Sequence, residues 1–294
     1  MTAIRSWLFV PGDSDKKLSK GLLAGADAII VDLEDAVAPA SKAAARDRVS
    51  GFLKDNSPKD RPCQLWVRVN PLNSGMVLDD LRSVMAHQPD GLVLPKPDGP
   101  EHVRVLSHYL DAFEAVHEVD FQTPILPVAT ETAVAPFRLG HYATAELGRL
   151  AGLTWGAEDL AAAVGATTNR DANGGWAKTY EMARSLTLLA AHAAGVAAVD
   201  TLYANFKDET GLRESSVLAR AEGFSGRLAI HPAQVIPINE SFTPSPEDID
   251  EARRIVAAFD AADNPGAIGF EGRMLDIPHL KQAHQTLALA KQTL

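Results

Sequence analysis

The sequence predicts an α/β fold in which eight parallel strands close into a (β/α)8 TIM barrel, followed by a C-terminal helical extension. First, apolar strand-like runs alternate with amphipathic helix-like stretches along most of the chain, as in folds built from parallel strands and crossover helices. Second, eight such runs are present, which favours a closed barrel over an open sheet. Third, the chain has 294 residues, more than the roughly 250 of one barrel, so one barrel with an extension fits better than two equal domains.

Each predicted strand is a short, mainly apolar run, the pattern of a strand buried on both faces of a parallel sheet. The predicted strands are Ser6–Val10, Ala28–Asp32, Gln64–Val69, Gly91–Pro95, Ile125–Ala129, Leu150–Gly156, Ala197–Leu202 and Arg227–His231. The stretches between them space their apolar residues as a helix does. The predicted helices are Ser14–Ala24, Ser41–Lys54, Met76–Ala86, Pro100–Ala115, Ala133–Ala143, Ala177–Ala193 and Glu209–Glu222.

Two segments fall outside this alternation. The stretch Thr167–Gly175 is rich in Asn and Gly, and we expect a flexible loop that covers part of the site. After the last strand come a predicted helix Pro246–Ala262, a break at Asn264-Pro-Gly and a final helix Pro278–Leu294. We therefore assign residues 1–240 to a catalytic barrel domain. Residues 241–294 are assigned to a helical extension that serves as a lid or packs on a neighbouring subunit.

The charge balance and the missing motifs exclude several classes of protein. The net charge of −10 argues against nucleic-acid binding, which needs a basic surface, although a local Arg or a metal can still hold an anionic substrate. The single cysteine excludes an intrachain disulfide framework and a cysteine-based zinc cluster. The absence of a Walker motif, a His-Glu-x-x-His motif and a serine-hydrolase elbow weakens nucleotide hydrolysis, zinc proteolysis and triad catalysis.

No apolar stretch approaches the ~20 residues that cross a bilayer, and the apolar run at Trp7 is too short for a signal peptide. We therefore expect a cytoplasmic protein without a membrane partner.

Two carboxylates each follow an apolar strand. Glu131 comes just after Ile125–Ala129, and Asp159 comes just after Leu150–Gly156. A carboxylate at the carboxyl end of a barrel strand is more often catalytic than structural, because the active site of a barrel lies at that end. Successive strands bring both side chains together, and converging carboxylates suit a hard cation. The pair predicts Mg²⁺-assisted chemistry on a small anionic substrate, with Mn²⁺ equally compatible with such ligands.

Three other polar residues interrupt or end predicted strands. Arg68 lies inside an apolar strand, where a buried guanidinium needs an anion; either a substrate carboxylate or a salt bridge with a barrel acid would supply it. Lys96 ends the fourth strand, and the many nearby carboxylates favour a charged lysine paired with a site acid or a phosphate over a Schiff-base nucleophile. In the acidic tract that starts at Asp32, Asp32 is expected to point inward because it ends the strand.

Eight short motifs follow one another along nearly the whole chain. They are Ser6-Trp-Leu-Phe-Val-Pro-Gly12, Val31-Asp-Leu-Glu-Asp-Ala-Val37, Val67-Arg-Val-Asn70, Leu94-Pro-Lys96, Glu131-Thr-Ala, Gly156-Ala-Glu-Asp159-Leu-Ala, Ala229-Ile-His-Pro232 and Gly272-Arg-Met-Leu-Asp276-Ile-Pro278. In content and order, these motifs resemble the citrate lyase β-subunit-like family of the HpcH/HpaI aldolase/citrate lyase superfamily.

The resemblance implies a Mg²⁺-dependent lyase that cleaves or forms a 3-hydroxyacyl thioester, such as citryl-, malyl- or citramalyl-CoA, from an acyl thioester and a 2-oxo acid. CoA would then be part of the substrate rather than a bound cofactor. By the same resemblance, Glu131 and Asp159 would ligate the metal, and Arg68 would hold the substrate carboxylate. Asp276 would act as acid/base across a subunit boundary, which implies a homo-oligomer, a trimer or hexamer.

The resemblance also extends to the substrate pocket. The turn at Pro11 and Gly12 would help to position the thioester arm, with Asp32 and Lys96 among the substrate-binding residues. Trp155 departs from the family pattern, because a smaller residue is expected there. We expect it to alter the floor of the pocket.

Two other functions remain open. A class II pyruvate-type aldolase would act on free 2-oxo acids on the same barrel, and thioester hydrolysis after condensation would give a malyl-CoA thioesterase or malate-synthase-like activity. The position of Asp276 on a C-terminal arm favours a large thioester substrate over a free acid. A non-catalytic scaffold subunit is the third reading, and it would not need Glu131, Asp159 and Arg68 together.

Overall fold

Eight parallel strands form a nearly closed barrel in the computed structural model, which describes residues 4–263 and 265–293. The strands are β1 Ser6–Pro11, β2 Ala28–Asp32, β3 Gln64–Arg68, β4 Gly91–Leu94, β5 Ile125–Pro127, β6 Gly152–Thr154, β7 Ala197–Asp200 and β8 Gly226–Ala229. Their order around the barrel is β5-β4-β3-β2-β1-β8-β7-β6. The seam between β5 and β6 is closed by two isolated parallel bridges, Ile125 with Leu150 and Val128 with Thr154. The predicted barrel is confirmed.

Helices surround the strands in the alternating order that the sequence predicts. They are α1 Asp15–Leu22, α2 Lys42–Asp55, α3 Val77–Val84, α4 Pro100–His117, α5 Ala157–Ala163, α6 Lys178–Ala193, α7 Glu209–Glu222 and α8 Val235–Phe242. The predicted helix Ala133–Ala143 is instead a 3-10 helix, Ala135–Thr144, and Gly140 in its middle disfavours a regular α-helix. The short helices α5 and α8 were not predicted.

Residues alternate along each strand between the barrel interior and the helical layer, as the period of two requires. The interior is filled by one cluster of buried side chains, and a larger cluster joins the outer faces of the strands to the helices. The interior residues are Trp7, Ala28, Ile30, Trp66, Val93, Leu126, Val128, Val199 and Leu228. Trp7 and Trp66 meet edge to face, with ring centroids 5.0 Å apart. Gly91 leaves room for this pair, because a Cβ there would lie 2.4 Å from Cζ3 of Trp66.

Trp155 points away from the barrel interior, so the expectation that it shapes the pocket floor is wrong. Its indole is fully buried against α5 and α6, meets Trp176 edge to face, and donates from Nε1 to Asp200 at 2.8 Å. Asp200 also accepts from Arg184 and Arg227, and these guanidinium groups keep the pKa of the fully buried carboxyl below its usual value despite the opposing effect of burial. Trp155 therefore supports the outer layer.

The C-terminal segment consists of α9 Pro246–Ala261, a hairpin of β9 Ala267–Phe270 with β10 Arg273–Asp276, and α10 Ile277–Thr293. The two helices match the prediction; the hairpin was not predicted, and the predicted break at Asn264 and helix end at Leu294 lie outside the described residues. The segment has an apolar cluster of its own, formed by Phe259, Phe270 and Leu275.

The predicted division after residue 240 stays a prediction. None of the helices within residues 4–263 and 265–293 combines the length and apolar character that crossing a membrane requires.

We predict that Gly91→Ala lowers the free energy of unfolding by about 1–3 kcal/mol, because the new methyl group overlaps the Trp66 ring inside the barrel. The matched control is Gly51→Ala on α2, where a Cβ meets nothing within 4 Å. That change should be neutral or raise the free energy of unfolding by about 0.5–1 kcal/mol, since Ala favours the helix. Urea denaturation measures both, and equal effects would contradict the packing described.

Candidate active site

The carboxyl ends of the barrel strands bring the predicted polar residues together. Asp32 ends β2 and Arg68 ends β3, while Lys96 and Glu131 lie in the loops that follow β4 and β5. Asp159 was predicted at the end of a strand, but β6 already ends at Thr154 and Asp159 lies in the first turn of α5. A helix turn holds the backbone of Asp159 more firmly than a loop would.

Arg68 is bound by two carboxylates of the β2 side. Asp32 and Arg68 are register partners on neighbouring strands, and the guanidinium binds the Asp32 carboxylate through Nε at 2.8 Å and Nη2 at 2.7 Å. Glu34 lies 3.0 Å from Nη1, and the ring of Phe9 lies 4.7 Å from Cζ. Burial alone would lower the pKa of Arg68, but the carboxylates of Asp32 and Glu34 raise it by more than burial lowers it. The residue is therefore charged. Of the two partners left open by the sequence, the barrel acid is the one present.

Lys96 contacts the candidate metal ligands as well as the acidic residues that follow β2. Its backbone N–H donates to Oε2 of Glu131 at 2.7 Å. Its ammonium donates to Glu34 and to Asp35, the latter at 2.7 Å, and lies 3.3 Å from Oδ1 of Asp159. These carboxylates raise the pKa of Lys96 against the effect of burial. Pairing with a site acid is therefore confirmed, and the raised pKa argues against a Schiff-base role.

Glu131 is the most strongly perturbed carboxyl of the site. It is 5% exposed, and Gly156 packs so closely that a Cβ there would lie 2.8 Å from Cγ of Glu131. Burial and the neighbouring charge of Asp159 raise the pKa of Glu131 to about 8, although Arg68 and the N–H of Lys96 oppose the shift. A buried carboxylate beside a second carboxylate is unfavourable, and a cation between them relieves that repulsion.

The local charge balance and donor set fit a divalent cation. Five carboxylates converge here against three cations, and Lys42 is the cation that lies behind the site, donating to the backbone carbonyls of Leu33 and Glu34. The carboxylates are those of Asp32, Glu34, Asp35, Glu131 and Asp159; the other cations are Arg68 and Lys96. Within the described residues, no group of three or more His, Cys, Asp or Glu side chains is arranged to hold a metal. Two protein carboxylates with water as the remaining ligand is the usual arrangement for Mg²⁺.

An apolar pocket of 220 Å³ lies beside Arg68 and Asp32. It is lined in addition by Phe9, Pro11, Ala36, Leu202 and Ile230. Gly12 fixes the turn at its rim, because its N–H donates to the carbonyl of Asp32 at 2.9 Å and a Cβ would lie 2.8 Å from that oxygen.

Sequence reasoning missed the apolar lining residues, because those other than Pro11 carry no polar signal. Glu34 was predicted only as a member of the acidic tract, since the burial that separates it from its exposed neighbour Asp35 depends on the fold.

Asp276 lies away from this site within its own chain. It ends β10, is 44% exposed and has Nδ1 of His279 2.5 Å from its carboxylate. The neighbouring residues Leu275 and His279 line a groove with residues 223–225, which precede β8. That is the amino end of the strands, opposite to Glu131 and Asp159. A single chain therefore does not bring Asp276 to the other candidate residues.

The predicted loop Thr167–Gly175 is held by several local contacts. The carboxylate of Asp171 accepts the N–H groups of Asn173 and Gly175 at 2.8 and 2.9 Å, and the guanidinium of Arg170 lies 3.4 Å from the centre of the Trp176 ring. Asn169 donates to Glu158 on the first turn of α5 at 2.9 Å. The loop therefore supports the turn that carries Asp159.

The sequence model of the HpcH/HpaI aldolase/citrate lyase family matches residues 5–232, which include every candidate residue of the barrel. The chain belongs to this family. Its members most similar to this chain include a citramalyl-CoA lyase of Mus musculus, 34% identical over 97% of this chain and 86% of that protein. A (3S)-malyl-CoA thioesterase of Cereibacter sphaeroides is 35% identical over 98% of this chain and 94% of that protein.

The HpcH/HpaI family is also represented among solved structures that share this fold. The CitE protein of Mycobacterium tuberculosis, crystallised with magnesium, acetoacetate and coenzyme A, is 32% identical to this chain. The match covers 98% of both chains with a TM-score of 0.79. The family and the fold therefore agree over nearly the whole length.

We predict that Asp32→Ala lowers the free energy of unfolding by about 3 kcal/mol, because it leaves the buried guanidinium of Arg68 without its bidentate partner. Asp35→Ala is the control, since its side chain is 57% exposed and its loss should cost below about 1 kcal/mol. Chemical denaturation of both variants measures the difference. Similar small losses would show that Glu34 alone satisfies Arg68.

Proposed function

We propose that this chain is a Mg²⁺-dependent carbon–carbon lyase that cleaves, or forms, a 3-hydroxyacyl thioester such as citramalyl-, malyl- or citryl-CoA. The observation that carries the proposal is the buried Glu131 beside the partly exposed Asp159 and the cation of Arg68, at the end of the barrel where active sites lie. Family membership and the citramalyl-CoA lyase relative support it. The CitE complex with magnesium and coenzyme A supports the same cofactor and substrate class.

Glu131 and Asp159 would hold the metal, with water completing its ligands. Bound there, Mg²⁺ supplies a Lewis acid that acidifies the substrate hydroxyl. Arg68 would bind the substrate carboxylate through the Nη1 side of its guanidinium, since Asp32 holds Nε and Nη2. The apolar pocket at Phe9 and Pro11 would receive the uncharged part of the acyl group.

The chemistry is a retro-aldol cleavage. Loss of the hydroxyl proton breaks the carbon–carbon bond and leaves a 2-oxo acid and a thioester enolate, and the enolate then takes up a proton. The residue proposed for proton transfer is Asp276 of a neighbouring subunit. Its distance from the site of its own chain, at the other end of the strands, supports an arrangement in which subunits exchange this residue. A homotrimer and a cytoplasmic location are parts of this proposal.

Hydrolysis of the thioester is the second candidate. The (3S)-malyl-CoA thioesterase relative favours it, because it matches nearly the whole chain. Both activities would use the same metal site and Arg68. They differ in the products, since a lyase releases a 2-oxo acid and a thioesterase releases a hydroxy acid and free CoA. A free-acid aldolase would leave the apolar pocket beside Arg68 without a thioester to receive.

We predict Mg²⁺-dependent release of a 2-oxo acid from at least one of citramalyl-, malyl- and citryl-CoA, abolished by EDTA. Glu131→Gln and Asp159→Asn should each lower kcat/KM by about 10³-fold, because Lewis-acid stabilisation is worth several kcal/mol. Asp250→Asn, an exposed carboxylate on α9, is the control and should keep full activity. Separate assays for 2-oxo acid and free thiol distinguish lyase from thioesterase. Turnover that is unaffected by EDTA would refute the metal-dependent mechanism.

We predict that Asp276→Ala and Glu131→Gln chains complement each other in mixed oligomers. Each variant alone should lose about 10²–10⁴-fold in rate, whereas a hybrid contains sites with an intact Glu131 and an intact Asp276 from the neighbour. Co-expression with two different affinity tags, tandem purification and the 2-oxo acid assay provide the measurement. Hybrids as inactive as both parents would contradict sharing of Asp276 between subunits.

A further inference from the structure

Lys96 has an unusual backbone conformation for its residue type. Its φ of +51° lies in the left-handed region, which non-glycine residues rarely adopt, and both of its neighbours are prolines. Such strain is found where surrounding contacts hold it, and it clusters at functional sites. The contact here is specific, because this conformation directs the N–H of Lys96 to Oε2 of Glu131 at 2.7 Å. The backbone of Lys96 therefore orients one of the two candidate metal ligands.

The side chain of Lys96 reaches the other candidate ligand. Its ammonium lies 3.3 Å from Oδ1 of Asp159 while it donates to Glu34 and Asp35. One residue thus contacts Glu131 through its main chain and Asp159 through its ammonium. A positive charge already sits at the carboxylate pair, where a divalent cation would also be attracted.

We propose that Lys96 is a positioning residue that sets the cation affinity of the Glu131–Asp159 pair in two opposing ways. Its backbone N–H holds Glu131 in the orientation that a cation needs and so strengthens binding. Its ammonium is an internal counter-ion to Asp159, which a divalent cation has to displace, and so weakens binding. The inference rests on the metal site of the proposed function.

When a cation displaces the Lys96 ammonium from Asp159, the ammonium still has other partners. Glu34, which is buried, and Asp35 at 2.7 Å continue to accept from the ammonium. The exchange at Asp159 therefore replaces one cation with another, and the paired charge of the lysine is retained. Without the cation, the same ammonium reduces the repulsion between Asp159 and its acidic neighbours.

Substitutions at position 96 separate the two effects. Lys96→Gly removes the ammonium and accepts a positive φ without strain, so we expect Mg²⁺ to bind about tenfold more tightly than in the wild type. Lys96→Asn is a second variant of this kind, because Asn tolerates the left-handed region better than most residues. Lys96→Ala also removes the charge but disfavours the required φ, so it should bind Mg²⁺ several-fold more weakly than Lys96→Gly. Lys96→Arg keeps the charge and should stay within about threefold of the wild type.

Isothermal titration with Mg²⁺, and the electron paramagnetic resonance signal of free Mn²⁺ in a parallel titration, measure these affinities without any turnover. Thermal unfolding of each variant checks that it is folded. Binding by the Gly and Asn variants that is equal to or weaker than that of the wild type would overturn the counter-ion role. Equal affinities of the Gly and Ala variants would overturn the role of the backbone.

The wild type and Glu131→Gln test the underlying site separately. Cation binding by the wild type that Glu131→Gln abolishes supports the site, whatever the result at position 96. A wild type that binds neither cation would overturn the metal site and this inference with it. The two failures are therefore distinguishable.

Discussion

The bidentate pair of Asp32 and Arg68 is the interaction on which the arrangement of the site depends. Parallel register places the two residues side by side at the ends of β2 and β3, where the side chain of Asp32 is buried and that of Arg68 is 12% exposed. A buried guanidinium is tolerated only with anions around it, and a buried carboxylate only with donors. Asp32 meets both needs, since it also accepts the N–H of Glu34 at 2.8 Å and so shapes the acidic loop. Glu34 then faces Arg68 and Lys96 instead of solvent.

Beyond Asp32 and Arg68 the site continues to Glu131 and Asp159, and over the whole site carboxylates outnumber cations. Arg68 pairs with Asp32 and Glu34, and Lys96 pairs with Glu34 and Asp35. Among the described residues, only the ammonium of Lys96 forms an ion pair with Asp159. Glu131 is left buried beside Asp159, and its burial, together with the charge of Asp159, raises its pKa. The positively charged side chains of the site therefore do not balance the carboxylates of Glu131 and Asp159.

Much of this arrangement could be predicted from the sequence, because the strands are apolar and the polar residues that follow them stand out. The remainder depends on information that single residues do not carry. The sequence predicts Asp159 at the end of a strand because the apolar run Leu150–Gly156 continues past the end of β6 at Thr154. Gly156 at its end is the N-cap of α5. Trp155 faces outward because the strand alternation continues past Thr154, which chemistry alone does not reveal. The partner of Arg68 is decided by the register between two strands, and the place of Asp276 by the fold of the C-terminal segment, which puts it at the other end of the strands.

The seam of the barrel gives the candidate metal ligands a second significance. β5 and β6 are joined only by isolated bridges, with backbone hydrogen bonds such as Ala129 N–H to the carbonyl of Thr154 at 2.7 Å. Glu131 follows β5 and Asp159 follows β6, so the two carboxylates lie on opposite sides of this seam. A cation bound by both would join the two sides and favour the closed barrel by its own binding free energy. Metal binding and barrel closure would then be thermodynamically linked. The metal would stabilise the fold as well as act as a Lewis acid.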